Sequence, residues 1–282
     1  MWGGNVRALP LLERFRATVR AGFGGLSVTP LEYLGWLAAG LSTADILSMA
    51  KDHDVRIVSL DPLARWLPSW KPHRLDLSIV PLAFVSTSED DFFRIADALQ
   101  VDSCTAISAA PPGQVTLEKM IERFAALCDR AASHGMRVDL EFIPLDLGIP
   151  DLATAWSIVS AADRANGGLT FDFWHYVRSG ADQALLETIP GQKITAVQIS
   201  DGLREVPASR SRYQDCFLDR LPPGEGEFPI ESTLATLREI GALSRVGPEI
   251  FSSGLDAMDA DMIGDICGSS LRSALDGVGV TV

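Results

Sequence analysis

The chain has 282 residues, is 47% hydrophobic and carries a formal charge of −13 from 24 basic and 37 acidic residues. Such a surface repels phosphate backbones and leaves no basic footprint for nucleic acid. No run approaches the roughly 20 apolar residues of a membrane span. The N-terminus lacks the basic, apolar, small order of a signal peptide.

Cys104, Cys128, Cys216 and Cys267 lie far apart with no CxxC pair, which argues against a disulfide framework or a cysteine zinc site and favours a reduced, cytoplasmic setting. No Pro/Ser-rich linker, repeat or low-complexity tract divides the chain, so a single domain over 1–282 is expected.

From Gly24 onward, short β-rich runs alternate with amphipathic helices. The expected strands are 24–29, 55–60, 103–109, 136–143, 168–173, 193–200 and 245–250. The helix after the third strand is the clearest: Thr116 caps it, Leu117, Met120, Ile121, Phe124, Leu127, Cys128 and Ala131 form one stripe, and Gly135 stops it. Asp151 opens another, with Leu152, Ala155, Trp156 and Val159 on its apolar side.

Repeated β-α units imply a parallel sheet. Seven are visible where a (β/α)8 barrel has eight, and only "MWGGNV" is available for a strand before the first helix. The expected fold is therefore a TIM barrel with a short or incomplete first strand; a doubly wound sheet is the alternative.

In such a barrel the chemistry sits at the C-terminal strand ends. "VDLEF" ends with Glu141, "TFDF" with Asp172, "VQIS" with Gln198 and "GPEI" with Glu249. Alternation puts these four on one face, with Leu140, Phe171, Val197 and Ile250 on the other. A glutamine amide buried in a strand costs roughly 1–3 kcal/mol if nothing meets it. Three converging carboxylates also repel each other unless a cation neutralises them. Carboxylate and amide oxygens suit Mg²⁺ or Mn²⁺, so the expected metal ligands are Glu141, Asp172, Gln198 and Glu249. The plainer account of each, a helix cap or a rim salt bridge, weakens when four successive strands share the pattern.

Two long segments look like lids. Residues 61–76 carry Arg65, Trp66, Trp70, Lys71, His73 and Arg74; residues 201–229 carry Arg204, Arg210, Arg212 and Arg220. Guanidinium forks suit carboxylate or phosphate, although a solvated loop paired with surface acids would look the same. "GEGEFP" (224–229) reads as a turn and not as a phosphate cradle, since its two glutamates would repel phosphate. His53 and His134 lie at helix ends, where histidines mostly serve as dipole partners.

Glu141, then Asp172 and His175 in "DFWH", then Gln198, then Glu249 resembles the xylose isomerase-like barrel superfamily of sugar-phosphate isomerases and epimerases. That superfamily also holds inosose and 3-dehydroshikimate dehydratases and, more distantly, endonuclease IV. The resemblance runs from Gly22 to about Ala274. It implies one divalent ion, Mn²⁺ or Mg²⁺ first and Co²⁺ or Zn²⁺ as alternatives, and proton abstraction next to a carbonyl.

Glu141 and Glu249 would be the acid–base carboxylates. His175 would orient or protonate substrate oxygens, and Arg204 matches a family arginine six residues after the third ligand. Trp174 and Trp66 join His175 and Arg204 as candidate substrate contacts. Relatives more often carry His where this chain has Gln198, and Gln is associated with dehydratase-like members. The expected substrate is a small keto-sugar, cyclitol or dehydroshikimate-like molecule, with neither nucleic acid nor membrane as partner and a homo-oligomer as an option. An isomerase or epimerase comes first, a dehydratase second, and a non-catalytic barrel or one subunit of an enzyme pair third.

Overall fold

A computed structural model describes residues 1–72 and 75–281. His73 and Arg74, two of the basic residues of the first loop, lie outside the described residues. Seven parallel strands run in sequence order: β1 Gly25–Val28, β2 Arg56–Leu63, β3 Ser103–Ala106, β4 Arg137–Glu141, β5 Gly167–Asp172, β6 Ile194–Ile199 and β7 Val246–Pro248. The helices are α1 Leu11–Arg20, α2 Pro30–Ala38, α3 Thr43–Asp52, α4 Glu89–Leu99, α5 Leu117–Ser133, α6 Leu152–Ala162, α7 Phe173–Arg178, α8 Gln183–Leu186, α9 Arg212–Phe217, α10 Ile230–Glu239, α11 Ser253–Asp256 and α12 Ala260–Asp276.

The expected strands are all present, with shifted ends. β2 continues through Asp61 to Leu63, whereas β4 stops at Glu141 and β7 at Pro248. "GGNV" forms a 3₁₀ turn and not a strand. At this seam the Met1 amine donates to the Gly25 carbonyl at 2.6 Å and the Ser27 amide donates to the Met1 carbonyl at 3.0 Å. Asn5 then reaches across to the last strand, donating to the Pro248 carbonyl and accepting from the Ile250 amide, both at 2.6 Å. A single residue of extended chain and one side chain thus tie β1 to β7.

Local chemistry explains the helices. Thr116 accepts from the Lys119 amide and Asp151 from the Thr154 amide, so both expected caps form. Gly135 adopts φ +71°, a conformation that glycine enters without a Cβ penalty. One stripe residue departs from expectation: Leu117, the first residue of α5, is 42% exposed. The core lies between the sheet's outer face and the helices, with Phe124, Phe142, Phe171 and Phe173 fully buried.

Register decides which strand-end residues meet. Asp172 pairs with Gln198 across β5 and β6, Gln198 pairs with Gly247 across β6 and β7, and Glu141 pairs with Thr170, two residues below Asp172. All four expected ligands therefore emerge at the same end of the sheet. Among the described residues no helix is long and apolar enough to cross a membrane, and the four cysteines are free and buried.

Candidate active site

Asp172 ends β5 and begins α7. One oxygen caps the helix by accepting from the His175 amide at 2.7 Å, and the other accepts from Arg220 at 2.6 Å. The cap reading and the site reading of this residue are both satisfied, because a carboxylate has four lone-pair positions. One ligand atom each from Glu141, Asp172 and His175 lies within 4.8 Å of the other two. His175 is buried, with Nε2 at 3.4 Å from a Glu141 oxygen and Nδ1 without a partner.

Gln198 is fully buried. Its amide nitrogen donates to Glu249 at 2.9 Å, while its oxygen has no hydrogen-bond partner among the described residues. An amide oxygen orphaned at the end of β6 is what an oxygen-coordinated cation would satisfy, and with the Glu141, Asp172 and His175 group this donor set fits a divalent ion.

Arg220 is the loop arginine that the structure brings to these acids, where sequence reasoning favoured Arg204. It is 1% exposed and lies 2.6 Å from Asp172 and 3.5 Å from Glu249. Its Nε donates to the Cys216 carbonyl at 2.8 Å. Burial would lower the guanidinium's pKa, but Asp172, Cys216 and Glu249 outweigh it and hold the charge firmly. Burial likewise pushes Asp172 up, and Arg220, His175 and the two hydrogen bonds bring it below the usual carboxylate range. Glu249 goes the other way: burial raises it well above that range, Arg220 pulls against this, and Asp172, Glu141 and Asp61 add to it.

These groups open into a cavity whose polar lining includes Asp61, Glu141, His175, Tyr213, Arg220 and Glu249. Its walls are apolar, with Leu75, Val80, Phe84 and Val85 from the segment after β2, Ile143, Leu145 and Leu147 after β4, and Cys216 and Phe217 from α9. A second chamber, lined by Thr29, Glu32, Phe84 and Phe251 among others, shares Asp61 and Glu249 with the first.

Asp61 escaped the sequence reading because the expected strand stopped at Leu60. The rule applied to the other strand ends would have found it. Burial, then Glu141, Glu32, Asp172 and Asp139, raise its carboxyl well above the usual range.

Three expected substrate contacts lie elsewhere. Trp66 is fully buried, donates its ring N–H to the Ile107 carbonyl at 2.8 Å and packs edge-on against Phe124. Trp174 is also in the core, with its ring N–H on Asp215 at 2.9 Å. Arg204 is exposed and does not line the cavity; its backbone amide donates to Glu227 at 2.7 Å.

The second loop is nonetheless well held. Asp215 accepts from Trp174 and from Arg178 at 2.8 Å, fixing α9 over α7. Asp201 accepts from the amides of Gly202, Gly224 and Phe228, so the "GEGEFP" turn wraps around one carboxylate, and any side chain at Gly226 would overlap it.

Known proteins resemble this chain in sequence and in fold. The 3-dehydroshikimate dehydratase of Pseudomonas aeruginosa is 26% identical over 252 residues, which is 88% of this chain and 37% of that protein. The chain thus spans little more than a third of that relative's length. An inosose isomerase of Bacillus licheniformis is 30% identical over 132 residues, 46% of each protein. In fold, the IOLI protein solved with a bound zinc atom superposes with a TM-score of 0.78 at 18% identity, over 99% of this chain and 96% of that one. The model of the xylose isomerase-like TIM barrel family matches residues 15–265, and the chain belongs to that family.

Proposed function

We propose that this chain is a divalent-metal-dependent lyase that removes a proton next to the carbonyl of a small polyhydroxylated substrate and expels a β-hydroxyl as water. The observation that carries the reading is the pairing of two acid–base groups, Glu141 and His175, at one place in the cavity. Glu141 and His175 stand 3.4 Å apart at the cavity, while Glu249 is held by Gln198 and Arg220. An epimerase needs a proton carrier on each face of the substrate; an elimination can run from one.

Glu141, Asp172, Gln198 through its orphaned oxygen and Glu249 would hold the ion, with His175 within reach of the same place. Mn²⁺ or Mg²⁺ suits these oxygens, and the imidazole leaves room for Zn²⁺ or Co²⁺. When bound, the ion would polarise the carbonyl oxygen and offset the charge that develops there.

Glu141 takes the proton from the carbon next to the carbonyl. The electrons of that C–H bond form the new double bond as the C–O bond to the β-hydroxyl breaks, and His175 gives the leaving oxygen a proton. Transfer of the proton from Glu141 to His175 then resets the pair, so the balance is one water lost. Arg220 keeps Asp172 ionised throughout, and the apolar walls exclude bulk water. The dehydratase relatives, which match most of this chain, support the same reading.

Isomerisation or epimerisation is the second reading, supported by the inosose isomerases matched over somewhat less than half of the chain. The test is NMR of the Mg²⁺-loaded protein in deuterated buffer with 3-dehydroshikimate, an inosose and D-psicose. A dehydrated product supports the lyase; solvent deuterium in a product of unchanged composition supports the isomerase. No exchange on any of the three removes both. His175→Asn should lower the dehydration rate about 100- to 10,000-fold, the span of a lost general acid.

A further inference from the structure

The reaction as derived uses Glu141 and His175 and gives no role to Asp61 or Tyr213, which also line the cavity. Asp61, at the end of β2, lines both chambers at the point where they join. Every other strand-end acid here has a partner: Asp172 holds His175 and Arg220, Glu249 holds Gln198 and Arg220, and Glu141 faces His175. The Asp61 side chain has none among the described residues, and it is partly open to the cavity. A carboxyl in that position, ringed by apolar Val80, Phe84 and Phe251, loses water when a ligand fills the cavity and then needs a partner from the ligand.

We propose that Asp61 is a specificity-determining contact that hydrogen-bonds a hydroxyl of the substrate. The proposal rests on the reading of a polyhydroxylated carbonyl substrate given above. A hydroxyl both donates and accepts, so it matches a carboxyl in either protonation state. A substrate carboxylate or phosphate does not fit there, because Asp61 shares the cavity with Glu141 and Glu249 and like charges would meet in a poorly solvated space. An anionic group, if the substrate has one, must therefore point away from β2.

Calorimetric titration of the Mn²⁺-loaded protein with an inosose and with 3-dehydroshikimate tests this, in wild type and in Asp61→Ala, Asp61→Leu and Asp61→Asn. The wild type should bind at least one of the two. Asp61→Ala should weaken that binding about ten- to a hundredfold, the value of one buried polar contact. Asp61→Leu, which keeps the volume, should do the same, so the result stands if the alanine variant fails to fold. Asp61→Asn keeps a donor and an acceptor and should stay within about threefold.

Mn²⁺ affinity, titrated separately, should be equal in wild type and the asparagine variant. Unchanged ligand binding in the leucine variant overturns the proposal. So does an asparagine variant that loses Mn²⁺ and ligand together, since Asp61 would then serve the ion. A wild type that takes up Mn²⁺ but neither ligand overturns the functional reading itself, and that result is separable because it involves no Asp61 variant.

Discussion

Gln198 donates its amide to Glu249 at 2.9 Å and leaves its own oxygen unpartnered in a fully buried position. The amide therefore has a fixed orientation, with nitrogen on the carboxylate and the oxygen turned away from it. Replacing Gln198 by His keeps a donor atom for a divalent ion, while Leu offers none. Titration with Mn²⁺ should show affinity within about tenfold of wild type for Gln198→His and a loss of most binding for Gln198→Leu. Equal affinity in wild type and the leucine variant would remove Gln198 from the ligand set.

Stability without metal should depend on pH through Glu249. Its folded pKa is raised, so the folded state holds a proton that the unfolded chain releases near pH 4.3. Stability is then full below that pH and falls as pH rises toward the folded pKa. Asp172, lowered by Arg220, acts in the opposite sense, and its contribution is lost as pH falls below the ordinary aspartate range near 3.9. Thermal melts of chelator-treated protein should show Tm declining from about pH 5 upward. Asp61, also raised by burial, acts in the same sense, so Glu249→Gln or added Mn²⁺ should lessen that decline without abolishing it; a Tm that rises steadily to pH 8 in the chelated wild type would contradict it.

Asp215 should matter for stability rather than for metal. It is 2% exposed and receives Trp174 and Arg178, whose own side chain is 6% exposed. Asp215→Ala removes the carboxylate from the Arg178 guanidinium, which keeps only the Leu203 and Arg204 carbonyls, and breaking such a buried pair costs up to about 3–5 kcal/mol. Urea melts of the Mn²⁺-free protein should register it. The loop carrying α9 should also become the first site of proteolysis, because Tyr213, Cys216 and Phe217 would lose their anchor to α7.

Among the arginines, position separates two expectations. Arg204 is exposed and away from the cavity, so Arg204→Ala should change kcat/KM by less than about threefold, the scale of an exposed polar contact. Arg220→Met should reduce both folding stability and turnover strongly, because Asp172 and Glu249 would face each other without the charge between them. A large turnover loss in Arg204→Ala would mean that the loop closes over the substrate and brings that guanidinium in.

The strand-end acids and His175 were legible from residue order alone. Period-two alternation sets the face of each side chain, and the β-α rhythm sets the end of the barrel, both short-range properties of the chain. Asp172 and the caps at Thr116 and Asp151 were legible for the same reason, since a cap acts over three residues.

What the sequence could not supply was the partner of each group. Arg220 is one of four arginines in the same loop, and only the path of that loop, drawn in around Asp201, carries it rather than Arg204 to Asp172. Trp66 read as a binding residue because it lies in a loop and Trp174 because it stands in "DFWH", yet each ring finds a buried acceptor and is held in the core. Asp61 fell one residue beyond an expected strand end, and β2 proved longer because pairing with β3 extends to Leu63. Faces and ends are local and can be counted along the chain; pairings across 40 or more residues depend on loop closure, which only the folded structure decides.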